Sequence, residues 1–339
     1  MMEHKAKVGV VVPIWNVAPY IERCAESLMA QTLDDMQFVF VDDATPDNSI
    51  EILNTVLDRY PECKRKSMVV HHEVNKGLPT ARKTGLEHIN AEYVAHCDSD
   101  DWVEPTMYEK MYNSACSNNA DLVVCEYFVG DRAYGIRYPK DGDMIRSYLQ
   151  KKLPPYVWNR LTRTDIYRRV IFPKENYMED WVQCVQTHAY SREVFFLYEP
   201  LYHNCINPSS VTKVNSNSDK CEKNLRQCMA NMKLVHDFVI SNQLADESDM
   251  VFMKIIVRNQ LCPKLQMRQG RKEYLTIYPE VNRSLFTCRY LPREMKLEFI
   301  AIWLNRYPEW DRKGKYVYRN LKGVKRKLKS FLKKMVGKS

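Results

Sequence analysis

The sequence predicts an α/β fold built on a mostly parallel sheet, and three observations predict it. Strand-like and helix-like hydrophobic periods alternate through the first hundred residues. The strand-like segments are continuous apolar, β-branched runs, the pattern of strands covered on both faces. Each run also ends in polar or turn-forming residues, as strands do when they feed crossover helices.

The elements follow in order. "KVGVVVPIW" (7–15) is the first strand, and "APYIERCAESLMAQ" (18–31) is a helix with Ile21, Ala25, Leu28 and Met29 on one face. "MQFVFVDD" (36–43) is the second strand. "DNSIEILNTVLDRY" (47–60) is a helix in which Asp47 is the expected cap. "SMVVHHEV" (67–74) is a third strand, "PTARKTGLEHI" (79–89) a helix opened by Pro79, and "EYVAHCD" (92–98) a fourth strand. A helix near 105–119 and a strand at 120–130 come next, then a mixed region holding "YVWNRLTRTDIY" (156–167) and "NYMEDWVQCVQTHAY" (176–190). One or two strands at 194–206 precede a helical stretch at 219–310. The expected division is a sheet domain over 1–215, a helical region over 216–311 and a tail over 312–339.

Composition narrows the function classes. With 45% apolar and 27% charged residues in 339, the chain has the composition of a folded globular protein. Its N-terminal apolar run is about seven residues, short of a signal peptide, and no stretch approaches the roughly 18 residues of a membrane span. Eleven scattered cysteines without a CxxC pair suit reduced thiols and neither a disulfide framework nor a zinc site. The net charge of +9 is local. The 28 residues from Arg312 hold 12 of the 51 Lys/Arg and no acid, which leaves 39 basic against 42 acidic residues elsewhere. In that tail Leu321, Val324, Leu328, Phe331, Leu332 and Met335 recur at steps of three and four between cations. This is a basic amphipathic helix suited to an anionic membrane surface, and its apolar stripe has no use on a nucleic-acid backbone.

In a parallel sheet the strands' carboxyl ends share one crevice. Pro13 and Asn16 close the first strand, Asp42 and Asp43 the second, "NKG" (75–77) the third, and Asp98, Asp100 and Asp101 the fourth. Carboxylates so gathered repel unless a cation joins them. Mg²⁺ or Mn²⁺ fits, held by one or two carboxylates with a ligand's phosphates, and Lys76 and Arg82 stand where they can offset phosphate charge. A D-S-D-D stretch alone is also a helix cap, so the weight rests on the four ends together.

These motifs resemble the inverting family 2 glycosyltransferases of GT-A fold, over about residues 7–130 and more weakly over 155–213. "VVPIWN" is similar to V-P-x-Y-N, "FVFVDDATPDNS" to V-D-D-G-S-x-D, "NKGLPTARKTGL" to N-x-G-x-x-x-A-R-N-x-G, and "DSDD" to the metal-binding D-x-D. "VWNRLTRTDIY", "MEDWV" and "EPLYHNCINPSSVT" follow in the family's order. The resemblance implies transfer of a sugar from a nucleotide-sugar, a UDP-sugar, to a saccharide or lipid-linked saccharide with inversion, in cell-surface polysaccharide or glycolipid synthesis. It implies that Asp43 reads uracil or ribose, that Pro13 and Asn16 shape the nucleotide pocket with Asn75, Lys76 and Ser99, and that Arg82 lies near the base or diphosphate. Asp98 then meets ribose or metal and Asp100 the metal, with His203 either near the diphosphate as a further metal group or a hydrogen-bonded core histidine. Glu179-Asp180 is the E-D pair, with Asp180 as the base that deprotonates the acceptor. The implied place is cytoplasmic, peripheral at the inner face of the cytoplasmic membrane through the tail, without nucleic acid.

Departures from the pattern are Ala44 in place of glycine, whose turn must avoid positive φ or accept strain, and Lys83 in place of asparagine. Trp102, Trp158 and Trp181 suit sugar stacking or packing. A response-regulator receiver also carries an acidic pair, but after its first strand, where this chain has "PIWN". A non-catalytic nucleotide- or sugar-binding protein on the same fold is the other alternative, distinguished by whether the catalytic groups work.

Overall fold

The computed structural model describes residues 4–137, 139, 142–207, 218–259, 268–287 and 293–304. The tail over 312–339, with the expected membrane helix, lies outside them. The first four strands are β1 (Ala6–Ile14), β2 (Met36–Asp42), β3 (Ser67–His71) and β4 (Ala91–His96), in the order β3-β2-β1-β4 and all parallel. The helices between them are α1 (Ile21–Met29), α2 (Ser49–Arg59), the short α3 (Pro61–Arg65) and α4 (Leu78–Glu87).

Both faces of β1 are buried, which is why its sequence is a continuous apolar run. Val8, Val10, Val12 and Ile14 pack with α1 and α2 through Ile21, Leu28, Leu53 and Leu57. Val11, Val39 and Val41 pack on the opposite face with Ala81 and Leu86 of α4. Each such side chain removed from water contributes roughly 1.5–3 kcal/mol. Gly85 allows α4 to lie close: a Cβ there would meet Val11 Cγ1 at 2.3 Å. The register pairs Ile14 with Asp42 and Asp42 with His71, so the strands' carboxyl ends finish in one row.

Beyond β4 the sheet is mixed. β5 (Trp102–Val103) and α5 (Met107–Ser117) precede β6 (Leu122–Val129), which pairs with β7 (Arg132–Tyr134). After α6 (Met144–Leu149) comes β8 (Arg160–Arg163), inserted antiparallel between β4 and β6. Then follow α7 (Thr164–Tyr167), α8 (Glu179–Tyr190) and β9 (Val194–Asn204), the last parallel to β6 and antiparallel to β5. β9 is a single strand with a bulge before Pro200, a residue that cannot donate to a ladder.

The chain divides into two compact units, one of residues 1–213 with 226–246, the other of 214–225 with 247–339. The helices there are α9 (Ser218–Ser241), α10 (Val251–Asn259), α11 (Arg268–Thr276), α12 (Val281–Thr287) and α13 (Arg293–Trp303). Most of α9 therefore belongs with the sheet, whereas the sequence reading set a boundary at 215/216. In the second unit, Arg258 is fully buried and donates to the Ile277 and Tyr278 carbonyls and to Asn282, fastening α10 to the turn before α12.

Candidate active site

The loops after β1 and β2 are tied together first. Asp47 accepts at 3.2 Å from the Ser49 N–H that opens α2, as the expected cap does, and it also ties the two loops. Its Oδ2 accepts from the Ala18 N–H at 2.8 Å, and its Oδ1 from Thr45 Oγ1 at 2.7 Å and Ser49 Oγ at 2.5 Å. Burial pushes this carboxyl upward, but those hydrogen bonds hold it below its ordinary value. Asn16, exposed and at φ 55°, donates its N–H to Thr45 Oγ1 at 2.8 Å. Pro13 is buried at the end of β1.

Asp43 is turned inward. Only 3% exposed, it accepts from the Lys76 and Gly77 N–H groups at 2.8 Å each and lies 2.7 Å from His72 Nδ1. It thus shapes the "NKG" loop, leaving the Asn75 and Lys76 side chains exposed. Gly77 has φ 88°, and a Cβ there would meet Asn176 Oδ1 at 2.4 Å. Ala44 accepts the strain its turn demands, at φ 53°.

The carboxylates after β4 divide by task. Asp98 Oδ1 accepts from Arg82 Nη2 at 2.7 Å, while Arg82 Nη1 donates to Glu179 Oε1 at 2.9 Å and Asp180 Oδ1 at 2.7 Å. Arg82 is 1% exposed, whereas Asp98 and Asp180 keep 26% and 18% of their side chains open. The guanidinium is therefore a buried clamp behind the carboxylates and not a side chain open to a diphosphate. Burial opposes its charge, but Asp98, Asp180 and Glu179 hold its pKa well above the ordinary value. Burial raises Asp98, with Arg82 opposing and Asp180 and Asp100 adding to the rise. Glu179 is pushed well up by burial and then by Asp180.

Asp101 is structural. It accepts from Tyr202 Oη at 2.8 Å and the Cys205 N–H at 2.7 Å, and Tyr202 Oη also receives the Asp98 N–H at 3.1 Å. Asp100 Oδ2 accepts from Asn207 Nδ2 at 2.9 Å. Ser99 is buried between them. His203 lies elsewhere in its bonding: its ring is sandwiched between Trp102 and Phe128 at 3.4 and 4.4 Å, and Nε2 is 2.7 Å from Glu104 Oε1. Among the described residues no three or more His, Cys, Asp or Glu converge on a metal position, so Asp98, Asp100 and His203 do not form one cluster. Trp158 and Trp181 are buried in the core, and Trp102 is half-buried on His203.

The E-D pair is set by backbone strain. Met178, immediately before α8, is left-handed at φ 64°, and Glu179 and Asp180 open the helix, where its dipole favours an anion. Asn231 of α9 holds this approach, donating to the Glu175 and Tyr177 carbonyls at 2.8 and 2.9 Å. Asn231, Tyr202 and Asn207 went unrecognised in the sequence. Tyr202 and Asn207 lie within the quoted "EPLYHNCINPSSVT" motif, whereas Asn231 sits in a helical run with no local signal.

The geometry thus gathers Asp98, Arg82, Glu179 and Asp180, with Asp100 beside them, where strand ends and a helix N-terminus meet. Two half-open carboxylates, Asp98 and Asp100, offer hard oxygen donors, and the repulsion between them is what a divalent ion relieves.

Comparison with known proteins bears on the fold and the family. EpsH of Bacillus subtilis is 30% identical over 221 residues, covering 61% of this chain and 62% of EpsH, so the match spans less than two thirds of that relative. The fold is that of S. aureus TarS 1-349, solved in complex with UDP, at TM-score 0.62 and 16% identity over 91% of this chain and 92% of that one. It is also that of the mannosyltransferase PcManGT from Pyrobaculum calidifontis, solved with GDP-Man and Mn2+, at TM-score 0.53 and 14% identity over 91% and 89%. Among the described residues no helix is long and apolar enough to cross a membrane. Residues 9–178, half of the chain, match the pattern of glycosyl transferase family 2, and the chain belongs to that family.

Proposed function

We propose that the chain transfers a sugar from a UDP-sugar to a saccharide or lipid-linked saccharide with inversion, in the synthesis of cell-surface polysaccharide or glycolipid. The observation that carries this reading is the Arg82 clamp, which joins a donor-side carboxylate, Asp98, to an acceptor-side carboxylate, Asp180. Asp180 takes the proton from the attacking hydroxyl, the kind of step that contributes roughly 10²–10⁴-fold. Arg82 fixes the carboxylate's orientation. Glu179 beside it is buried, and burial raises its pKa well above the ordinary value.

Asp98 and Asp100 would hold Mg²⁺ or Mn²⁺ together with the donor's phosphates, and the ion supplies charge neutralisation for the departing diphosphate. Asn75 and Lys76 of the "NKG" loop would line the donor pocket with Pro13, Asn16 and Ser99. TarS was solved with UDP, which favours uracil, while PcManGT shows the fold with a guanosine donor and Mn2+.

Thermal unfolding with UDP, GDP, CDP and dTDP, each with and without Mn²⁺, tests the donor. A ligand at about 100 times its Kd stabilises by about 2.7 kcal/mol. A shift with UDP that requires Mn²⁺ is expected, and no shift with any nucleotide would defeat the reading. Asp180→Asn is expected to keep that shift and lose transfer, and undiminished turnover would remove Asp180 as the base.

A further inference from the structure

Away from the carboxylates, the loop after α7 presents a feature that the transfer chemistry does not use. Ile171 is 60% exposed. One exposed aliphatic side chain is ordinary, but this one stands on a backbone tied at both polar groups. Gln186, 2% exposed, accepts from the Ile171 N–H at 2.9 Å and donates to its carbonyl at 3.0 Å, so both backbone groups are fixed by one buried amide. Beside it opens a cavity of about 310 Å³, with Leu86, Val170 and Phe172 as its apolar lining and Lys83, Glu87 and Arg168 at its polar edge.

Two of the cations around the tip have partners. Arg168 donates to the Ile89 carbonyl at 2.8 Å, and Arg169 lies 4.1 Å over the Tyr190 ring. Lys174 is exposed, and Lys83, which stands where the family pattern has asparagine, is 58% exposed. The acids on the neighbouring elements are Glu87, 3.9 Å from Lys83, the half-buried Glu175, and Asp165, 3.2 Å from Arg163. Four cations around an exposed apolar tip match an anionic bilayer. The apolar side chain enters the headgroup boundary while the cations stay among the phosphates.

We propose that the loop Arg168–Lys174, with Lys83 of α4, is a docking surface for an anionic lipid bilayer, with Ile171 as its inserted tip. The same loop leads, five residues on, into Glu179-Asp180 of α8. Vesicle binding needs neither donor nor acceptor, so its failure leaves the transfer reading untouched, and the converse also holds.

The test is co-sedimentation of the full chain with vesicles of phosphatidylcholine alone and of phosphatidylcholine mixed with phosphatidylglycerol, at low and high salt. Binding is expected only to the anionic vesicles and to weaken with salt. Lys83→Glu and Arg168→Glu are each expected to lower partition about fivefold or more. Ile171→Asp is expected to lower it, and Ile171→Trp, which suits the interface, to raise it. The two opposite changes at Ile171 keep the test decisive if one variant folds poorly. Equal partition of all four variants would overturn the proposal by placing any membrane contact elsewhere in the chain. Self-association lost in Ile171→Asp, with vesicle binding unchanged, would assign the surface to a second copy and overturn it too.

Discussion

Arg82 Nη1 lies 2.7 Å from Asp180 Oδ1, although 98 positions separate the two residues in the chain. Three carboxyl groups depend on this one buried guanidinium, and none has another cation bonded to it among the described residues. Arg82→Ala is therefore expected to leave the group uncompensated and to cost about 3–5 kcal/mol. The lower end applies because Asp98 and Asp180 retain contact with water. Arg82→Lys keeps the charge but not the fork, so it should recover part of the stability and little of the turnover. Urea unfolding beside a transfer assay reads both, and a lysine variant of full activity would contradict the clamp.

The same cluster gives the protein a signed pH dependence. Burial and Asp180 raise the Glu179 pKa well above its unfolded value, and burial raises Asp98 as well. A raised carboxyl binds its proton more tightly in the folded state. Its contribution is whole below the ordinary carboxylate range, about 4.3 for Glu, and is lost as pH rises through the folded pKa. Stability should accordingly fall on raising pH beyond that range, by up to about 1.4 kcal/mol per unit for one such group. Glu179→Gln removes the titration and should flatten the slope. Denaturation curves over a pH series check this, and an unchanged slope would mean that Glu179 ionises as it does in water.

Asn231 makes the third prediction, because it supports the strained entry to α8 from a helix far along the chain. It is 1% exposed, and its Nδ2 serves the Glu175 and Tyr177 carbonyls, one residue short of the left-handed Met178. Asn231→Ala leaves two carbonyls without their donor and should cost about 1–3 kcal/mol. Freed of the support, Met178 can relax toward a right-handed conformation, and Asp180 turns with the helix start. Turnover should fall more than the stability loss accounts for while the nucleotide-induced thermal shift survives. Loss of both together would make the residue a packing element only.

How much of this was legible in the sequence depended on how local the cause was. The apolar runs of β1, β2 and β4 announce themselves because burial on both faces leaves no room for polar residues. The E-D pair was placed at a helix start because acids at a helix N-terminus follow a local rule. β8 was not legible: "RLTR" is short, has one apolar residue in four, and is stabilised by its neighbours β4 and β6 on either side. Asp43 and Arg82 were both read as ligand-facing. Each has its partners elsewhere in the chain, Asp43 at His72–Gly77 and Arg82 at Asp98 and Glu179–Asp180, and no spacing rule reveals a side chain that turns inward.

Ala44 is the place where sequence and structure state the same conflict, and it supplies the last prediction. The turn after β2 must bring the Thr45 N–H onto Asp42 Oδ1, at 2.8 Å, while the neighbouring Asp43 faces inward to the "NKG" loop. Opposite aims for adjacent carboxylates require the next residue to reverse the chain, and Ala44 does so at φ 53°. An L-residue with a Cβ pays roughly 1–2 kcal/mol there that glycine does not. Glycine in turn loses about 0.5–1 kcal/mol through the greater freedom of its unfolded chain. The first effect is the larger, so Ala44→Gly should stabilise by up to about 1 kcal/mol, and Ala44→Val, with a branched Cβ, should destabilise. Thermal unfolding of the two variants checks the ordering. A glycine variant less stable than the parent would show that Ala44 lies in its left-handed conformation without strain.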